Sequence, residues 1–268
     1  MSFVNHNGLI CLQDEALVPL QSRALRYGEG LIETMFFNNR KIRLCKLHYE
    51  RLRNSLQTLH FPEHTVAEFE KEIAKTIIAN QSPERGILRA EFFMNEALHE
   101  LQYWIEFIPV KEDHIRWKKQ GLRIGISSKA IKSGDSISHL KHSSRLVYVV
   151  AKHEAVEQDL DDILITNAAG NIVESTISNI FIVKDKTIFT PPLSEGCISG
   201  VMRRLLLGKG TIEGMKLEEQ IIDKQALEAA DEVFLTNAVR GIQAVYSIND
   251  KVYTDDATRA IFDAIGTL

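Results

Sequence analysis

Cysteine is scarce. Cys11, Cys45 and Cys197 are the three in 268 residues, widely spaced and without a C-x-x-C pair. That excludes a disulfide framework and a thiolate zinc site, so no metal is expected, and it fits a reducing compartment. An excess of positive charge is also missing. The formal net charge is −4, which leaves no footprint for nucleic acid or another polyanion. No apolar run reaches the length of a membrane span. The first twenty residues have neither the basic start nor the apolar core of a secretory leader. The expected setting is the cytoplasm, with small-molecule partners, no nucleic acid and no membrane. There is no internal repeat and no low-complexity segment. A G-x-S-x-G elbow is absent too, which argues against a hydrolase built on Ser143 or Ser144.

What is present is ordinary globular material, 44% hydrophobic and 25% charged, long enough for one large domain or two medium ones. Asn7-Gly8 and Asn38-Asn39 read as hairpin turns between short strands. Ser22–Tyr27 reads as a polar turn, with Gly28 and Gly30 allowing a tight backbone before a strand at 31–37. Residues 46–60 form an amphipathic helix with Leu52, Leu56 and Leu59 on one face and His48, Arg51 and Ser55 on another. Thr65-x-x-Glu68 is a capping-box signature for the next helix. Strands at 86–94 and 101–109 complete a small α/β domain over 1–110, and the charged stretch 111–120 reads as a linker. A larger domain over 121–268 opens with a strand at 121–127 and a Ser- and Gly-rich loop at 128–138. It continues with strands that outnumber its helices without strict alternation. The fold class is α+β, with a mixed, barrel-like sheet in the larger domain.

One stretch carries chemistry. It runs from H-L-K-H-S-S-R-L at 139–146 through G-N-I-V-E-S-T-I-S-N-I-F to C-I-S-G-V-M-R-R at 197–204. It offers a lysine before a helix, a glutamate on a strand and a Gly-Val-Met turn that opens another helix. An amine, an acid and a helix N-terminus are an imine partner, a proton-holding partner and an anion site. Taken alone, each has a plainer reading: Lys141 a solvated lysine, Glu174 an exposed strand residue, Arg51 part of a solvated helix face. Cys197, inside the stretch, reads as a packing residue.

The order and spacing of these residues, with R-Y-G-E-G-L-I-E-T-M at 26–35 and H-Y-E-R-L at 48–52, resemble the fold-type IV (class IV) pyridoxal-phosphate enzymes. The resemblance runs from about Asn5 to Ala244 and implies a two-domain fold of the D-amino-acid aminotransferase type. It implies pyridoxal 5′-phosphate as cofactor, Lys141 as its Schiff-base lysine, and Glu174 at its ring nitrogen. It further implies Arg51 and the backbone N–H groups of Val201 and Met202 at the phosphate, Ile198 against one ring face, and the backbone N–H of Ala238 as a further phosphate contact. Asn179 and Glu33 are read as structural. Tyr27 lines the substrate side or plugs a domain seam, and Arg145 is a candidate for substrate carboxylates. A homodimer follows from the same resemblance.

The family includes branched-chain and D-amino-acid aminotransferases and 4-amino-4-deoxychorismate lyases. The lysine serves as base and then acid in each. Three features resemble the lyase, which forms 4-aminobenzoate for folate and releases pyruvate: K-H-S-S-R-L with Leu146 where aminotransferases usually place Tyr, T-N-A at 236–238, and the compact length. Against it, Asn95 and Glu96 stand where many relatives carry an Arg-Gly pair. An aminotransferase, or a binding protein of this fold that has lost catalysis, are the alternatives.

Overall fold

The computed structural model describes residues 2–95, 99–111 and 114–265. The chain divides into two compact units, Met1–Asp113 with Leu140–Arg145, and His114–His139 with Leu146–Leu268.

The first unit contains β1 (Phe3–His6), β2 (Leu9–Leu12), α1 (Arg23–Tyr27), β3 (Gly30–Asn38), β4 (Lys41–Ile42) and α2 (Cys45–Thr58). It continues with α3 (Val66–Ala79), β5 (Arg85–Asn95) and β6 (Glu100–Pro109). Its strands form one antiparallel sheet in the order β2-β1-β6-β5-β3-β4. Alternation along β3 and β5 turns Leu31, Met35, Leu88, Ala90 and Phe92 toward α2 and α3, where they pack with Leu52, Leu56, Phe69 and Ile73. The capping box at Thr65 and Glu68 is formed in both directions. The segment expected to be a polar turn at 22–27 is instead the one-and-a-half-turn helix α1, ended by Gly28 in the left-handed region at φ 66°.

The second face of α2 is not solvated. His48, Arg51 and Ser55 are buried along with Leu52 and Leu56, because a carboxylate waits there. Glu33 on β3 accepts from Arg51 Nε at 2.8 Å and Arg51 Nη2 at 2.6 Å, and His48 Nδ1 stands 2.5 Å from its second oxygen. Burial alone would raise the Glu33 carboxyl. The charges and hydrogen bonds of Arg51 and His48 outweigh it and hold the group at about 2. Burial pushes His48 below the ordinary imidazole range against the pull of Glu33, with Arg51 and Lys141 pushing the same way as burial.

The second unit contains β7 (Leu122–Lys132), α4 (Leu146–Glu157), β8 (Asp162–Asn167), β9 (Ile172–Ser175), β10 (Asn179–Lys184) and β11 (Thr187–Thr190). Then come α5 (Val201–Leu207), β12 (Thr211–Ile212), β13 (Met215–Glu219), α6 (Lys224–Ala229), β14 (Glu232–Asn237), β15 (Gly241–Ile248), β16 (Lys251–Val252) and α7 (Asp256–Ile265). Among the described residues, β10-β14-β15-β7-β8-β9 are neighbours in that order, and β9 returns to β10 through Glu174 opposite Asn179. The sheet thus closes into a barrel, with mixed parallel and antiparallel pairs. The stretch read as a linker packs in this unit where it is described: the Trp117 and Phe262 rings lie 5.4 Å apart.

Two expectations change. The loop expected over 128–138 begins only at 133, because β7 runs on to Lys132 past an irregularity between Ile126 and Ile131. Glu154 of α4 holds that irregularity by accepting from the hydroxyls of Ser127 and Ser128 and from the Ser128 N–H. The segment carrying Lys141, expected with the larger domain, clusters with the first unit. Its backbone extends the sheet beside β3: Ile32 N–H donates to Lys141 O and Ser143 N–H to Gly30 O, both at 2.8 Å.

Thr65→Ala removes one half of the capping box and is expected to cost about 1 kcal/mol, read as a lower urea midpoint with an unchanged circular-dichroism spectrum. Glu33 predicts an acid limb. Its folded carboxyl lies below its ordinary value of 4.5, so its contribution is complete above that value and is lost as pH falls from there toward 2. Glu33→Gln should lower the melting temperature at neutral pH, by roughly 3 kcal/mol of stability, and flatten the decline between those two pH values. A variant with the wild-type slope would show that the cluster is not what titrates.

Candidate functional site

In the first unit the site residues are assembled by backbone pairing. Leu140 is buried in the core with Leu31 and Phe92, and His142 bridges Leu31, so Lys141 is fixed between two anchored neighbours. Gly30 is where Ser143 comes in: a Cβ there would lie 2.5 Å from Ser143 Oγ and 3.2 Å from Phe92 O. Only glycine permits that approach. The Lys141 charge is felt at His48, which places the lysine in the neighbourhood of the Glu33–His48–Arg51 cluster. Arg51 is already held in plane by its two bonds to Glu33, and a guanidinium fixed in this way suits bidentate contact with a dianion. Tyr27 is exposed, with the Arg23 guanidinium 5.1 Å from its ring centre. Arg145 is half-buried.

In the second unit the barrel's closing pair builds the site. Glu174 is 2% exposed. Its Oε1 accepts from Lys132 Nζ at 2.5 Å and Tyr148 OH at 2.7 Å, and its Oε2 accepts from Ile198 N–H at 2.9 Å. Asn179, opposite it, donates from Nδ2 to Ile198 O at 2.8 Å. A Cβ on Gly200 would collide with Asn179 Oδ1, so glycine is required where the chain turns into α5. Gly200 is the N-cap of α5 and provides no side-chain cap for the first-turn N–H groups at Val201 and Met202. Next along the barrel, Thr236 pairs with Asn179. Its hydroxyl is buried without a hydrogen-bond partner among the described residues. Ala238 sits in the turn between β14 and β15, where Asn237 Oδ1 accepts from Val239 N–H and Arg240 N–H, and Asn237 Nδ2 donates to Ser178 Oγ. The structure therefore gathers Glu174, Ile198, Val201, Met202 and Ala238 along one run of adjoining segments.

Cys197 is buried with its Sγ facing the carbonyl oxygens of Pro191 and Pro192. Burial, aided by the Glu174 charge, pushes its thiol up to about 12, so it packs and is no nucleophile at neutral pH. The residues of each unit, taken by themselves, fit parts of a phosphorylated pyridine aldehyde: the second unit has a buried carboxylate for a ring N–H and a turn kept open by Gly200, and the first has a lysine amine for a carbonyl. Lys132 and Tyr148 were not legible as site residues. A lone lysine in a Ser-rich stretch reads as solvated, although the alternation of Ala130, Ile131 and Lys132 is a strand signal that turns Lys132 inward with Ala130. Glu96 lies outside the described residues, and β5 ends at Asn95.

The family model for amino-transferase class IV matches residues 30–248. The aminodeoxychorismate lyase of Vibrio harveyi is 26% identical over 87% of this chain and 88% of its own length. The D-alanine aminotransferase of Bacillus licheniformis is 26% identical over 91% of this chain and 87% of its own. Among solved structures, the branched-chain aminotransferase of Thermoproteus uzoniensis with norvaline superposes with a TM-score of 0.87 at 25% identity, covering 98% of this chain and 93% of that one. The described helices include none long and apolar enough to cross a membrane. With motif order, fold and donor set in agreement, the chain belongs to the amino-transferase class IV family and is a pyridoxal-phosphate-dependent enzyme.

Proposed function

We propose that this enzyme is a 4-amino-4-deoxychorismate lyase, releasing pyruvate and 4-aminobenzoate. The observation that carries the reading is Leu146. It opens α4 five residues after Lys141 and is 72% exposed, where the aminotransferases usually place a tyrosine. Ala238, in the turn at the end of β14, points the same way, as does the similarity to the Vibrio harveyi lyase.

Pyridoxal phosphate, when bound, supplies a carbonyl carbon for an amine to join and an electron sink for the bond broken beside it. Lys141 would hold the cofactor through its amine and would move a proton from and to the substrate carbon, as base and then acid. Glu174 holds the proton of the ring nitrogen. Arg51 and the N–H groups of Val201, Met202 and Ala238 are the groups that would hold the phosphate, and Ile198 is the one that would pack on the ring. Tyr27 and Arg145 face the substrate. Exposed Leu17, Leu20, Leu25 and Tyr27 on the first unit support a second copy of the chain as partner, and the three unpaired cysteines fit the cytoplasm.

A second reading is an aminotransferase acting on monocarboxylate amino acids. It is favoured by Asn95 at the end of β5, because a substrate with two carboxylates wants cations there.

One assay separates them. Aminodeoxychorismate should give 4-aminobenzoate and pyruvate, while L- and D-amino acids with 2-oxoglutarate should leave the cofactor spectrum unchanged. Conversion of the cofactor to its amine form by one amino-acid class, without aromatic product, would replace the lyase by the aminotransferase. Lys141→Ala should lower turnover at least about a hundredfold while retaining phosphate-anchored cofactor, measured by equilibrium dialysis. Wild-type turnover in that variant would remove Lys141 from the chemistry.

A further inference from the structure

Glu174 makes more contacts than a carboxylate that only meets a ring nitrogen requires. A carboxylate offers about four lone-pair sites. Lys132 Nζ and Tyr148 OH take Oε1, and Ile198 N–H takes one site on Oε2. The remaining site is on Oε2, the oxygen away from Lys132. Lys132 is itself 5% exposed, donates to Ser138 O at 3.0 Å and lies 5.3 Å from the centre of the Tyr148 ring. Glu174 is the carboxylate with which it pairs among the described residues. The pair is therefore a dry ion pair with a fixed direction, cation on one oxygen and an acceptor site on the other.

We propose that Lys132, supported by Tyr148, is a positioning residue for Glu174 whose charge keeps the proton shared with the cofactor's ring nitrogen on the nitrogen. A cation 2.5 Å from Oε1 is nearer the carboxylate than it can be to a ring bonded at Oε2. Coulombic attraction then favours the arrangement in which the carboxyl group carries the negative charge and the ring carries the proton. Without the cation, the buried carboxylate keeps only the hydrogen bonds of Tyr148 OH and Ile198 N–H among the contacts described, and the neutral arrangement, with the proton on oxygen, gains. The proposal rests on the reading of Glu174 as the ring-nitrogen partner.

The test uses the holoenzyme loaded with cofactor carrying nitrogen-15 in the ring, read by nitrogen NMR across the neutral pH range. Wild type and Lys132→Arg should show the protonated-nitrogen shift. Lys132→Met should move toward the unprotonated position, Tyr148→Phe part of the way, and Glu174→Ala furthest. If Glu174→Ala moves and Lys132→Met stays with wild type, or if Lys132→Arg moves as far as Lys132→Met, Lys132 is only a structural staple and the proposal falls. An unmoved signal in Glu174→Ala would instead overturn the ring-nitrogen reading and the proposal with it. Should Lys132→Met fail to hold the cofactor, Lys132→Gln carries the same comparison with the same outcomes.

Discussion

A carboxylate taken out of water has to be answered by a charge or by several donors, because left alone it costs several kcal/mol. Glu33 in the first unit and Glu174 in the second are two such groups. Glu33 on β3 is answered by Arg51 and His48, one helical turn apart on α2. Glu174 on β9 is answered by Lys132 at the end of β7, Tyr148 on α4 and the Ile198 backbone. Neither arrangement tolerates a register error. A one-residue slip of β3 or β9 would turn the carboxylate to the other face and leave its cation buried alone. The same contacts that make the core affordable therefore hold the functional groups in place.

The rest of the second unit serves that requirement. Lys132 reaches Glu174 because β7 continues through its irregularity, and the irregularity persists because Glu154 satisfies the serines that would otherwise end the strand. Tyr148 reaches the same oxygen because α4 starts at Leu146 and buries Tyr148, Ala151 and Ala155 on one face. The barrel's closure at Glu174 and Asn179 then places the turn through Gly200 against the Asn179 side chain. Packing, hydrogen bonding and charge all specify one geometry, which is the condition for a rigid site.

Much of this was legible from the residues, for identifiable reasons. Lys141, Glu174 and Arg51 stand in motifs whose order resembles a known family, and α3 announced itself through Thr65 and Glu68. What escaped was either too short or too long-range. The helix α1 has five residues and no capping side chain, so neither periodicity nor a cap could mark it. The placement of Lys141 with the first unit depends on backbone bonds to Gly30 and Ile32, pairings across about a hundred positions that local pattern cannot see. The buried face of α2 is polar in sequence, and only Glu33 from a different element explains why it is dry.

The choice of reaction lies outside these two carboxylates. In the roles proposed for them, Lys141 and Glu174 serve equally whether the substrate leaves as an aromatic amine or hands over its amino group. An aminotransferase must receive two carboxylate-bearing substrates in turn at one site, so its anion contacts are used twice per cycle. A lyase whose product becomes aromatic draws its driving force from the substrate and receives one molecule per cycle. Selectivity is therefore decided by groups that touch the substrate rather than the cofactor. The two residues by which the proposed readings differ are Leu146, exposed and apolar, and Asn95, uncharged at the end of β5. The first stands where aminotransferases usually carry a tyrosine hydroxyl, and the second where many relatives carry an arginine. Only the first is a loss that the lyase shares, which is why Leu146 rather than Asn95 carries the assignment.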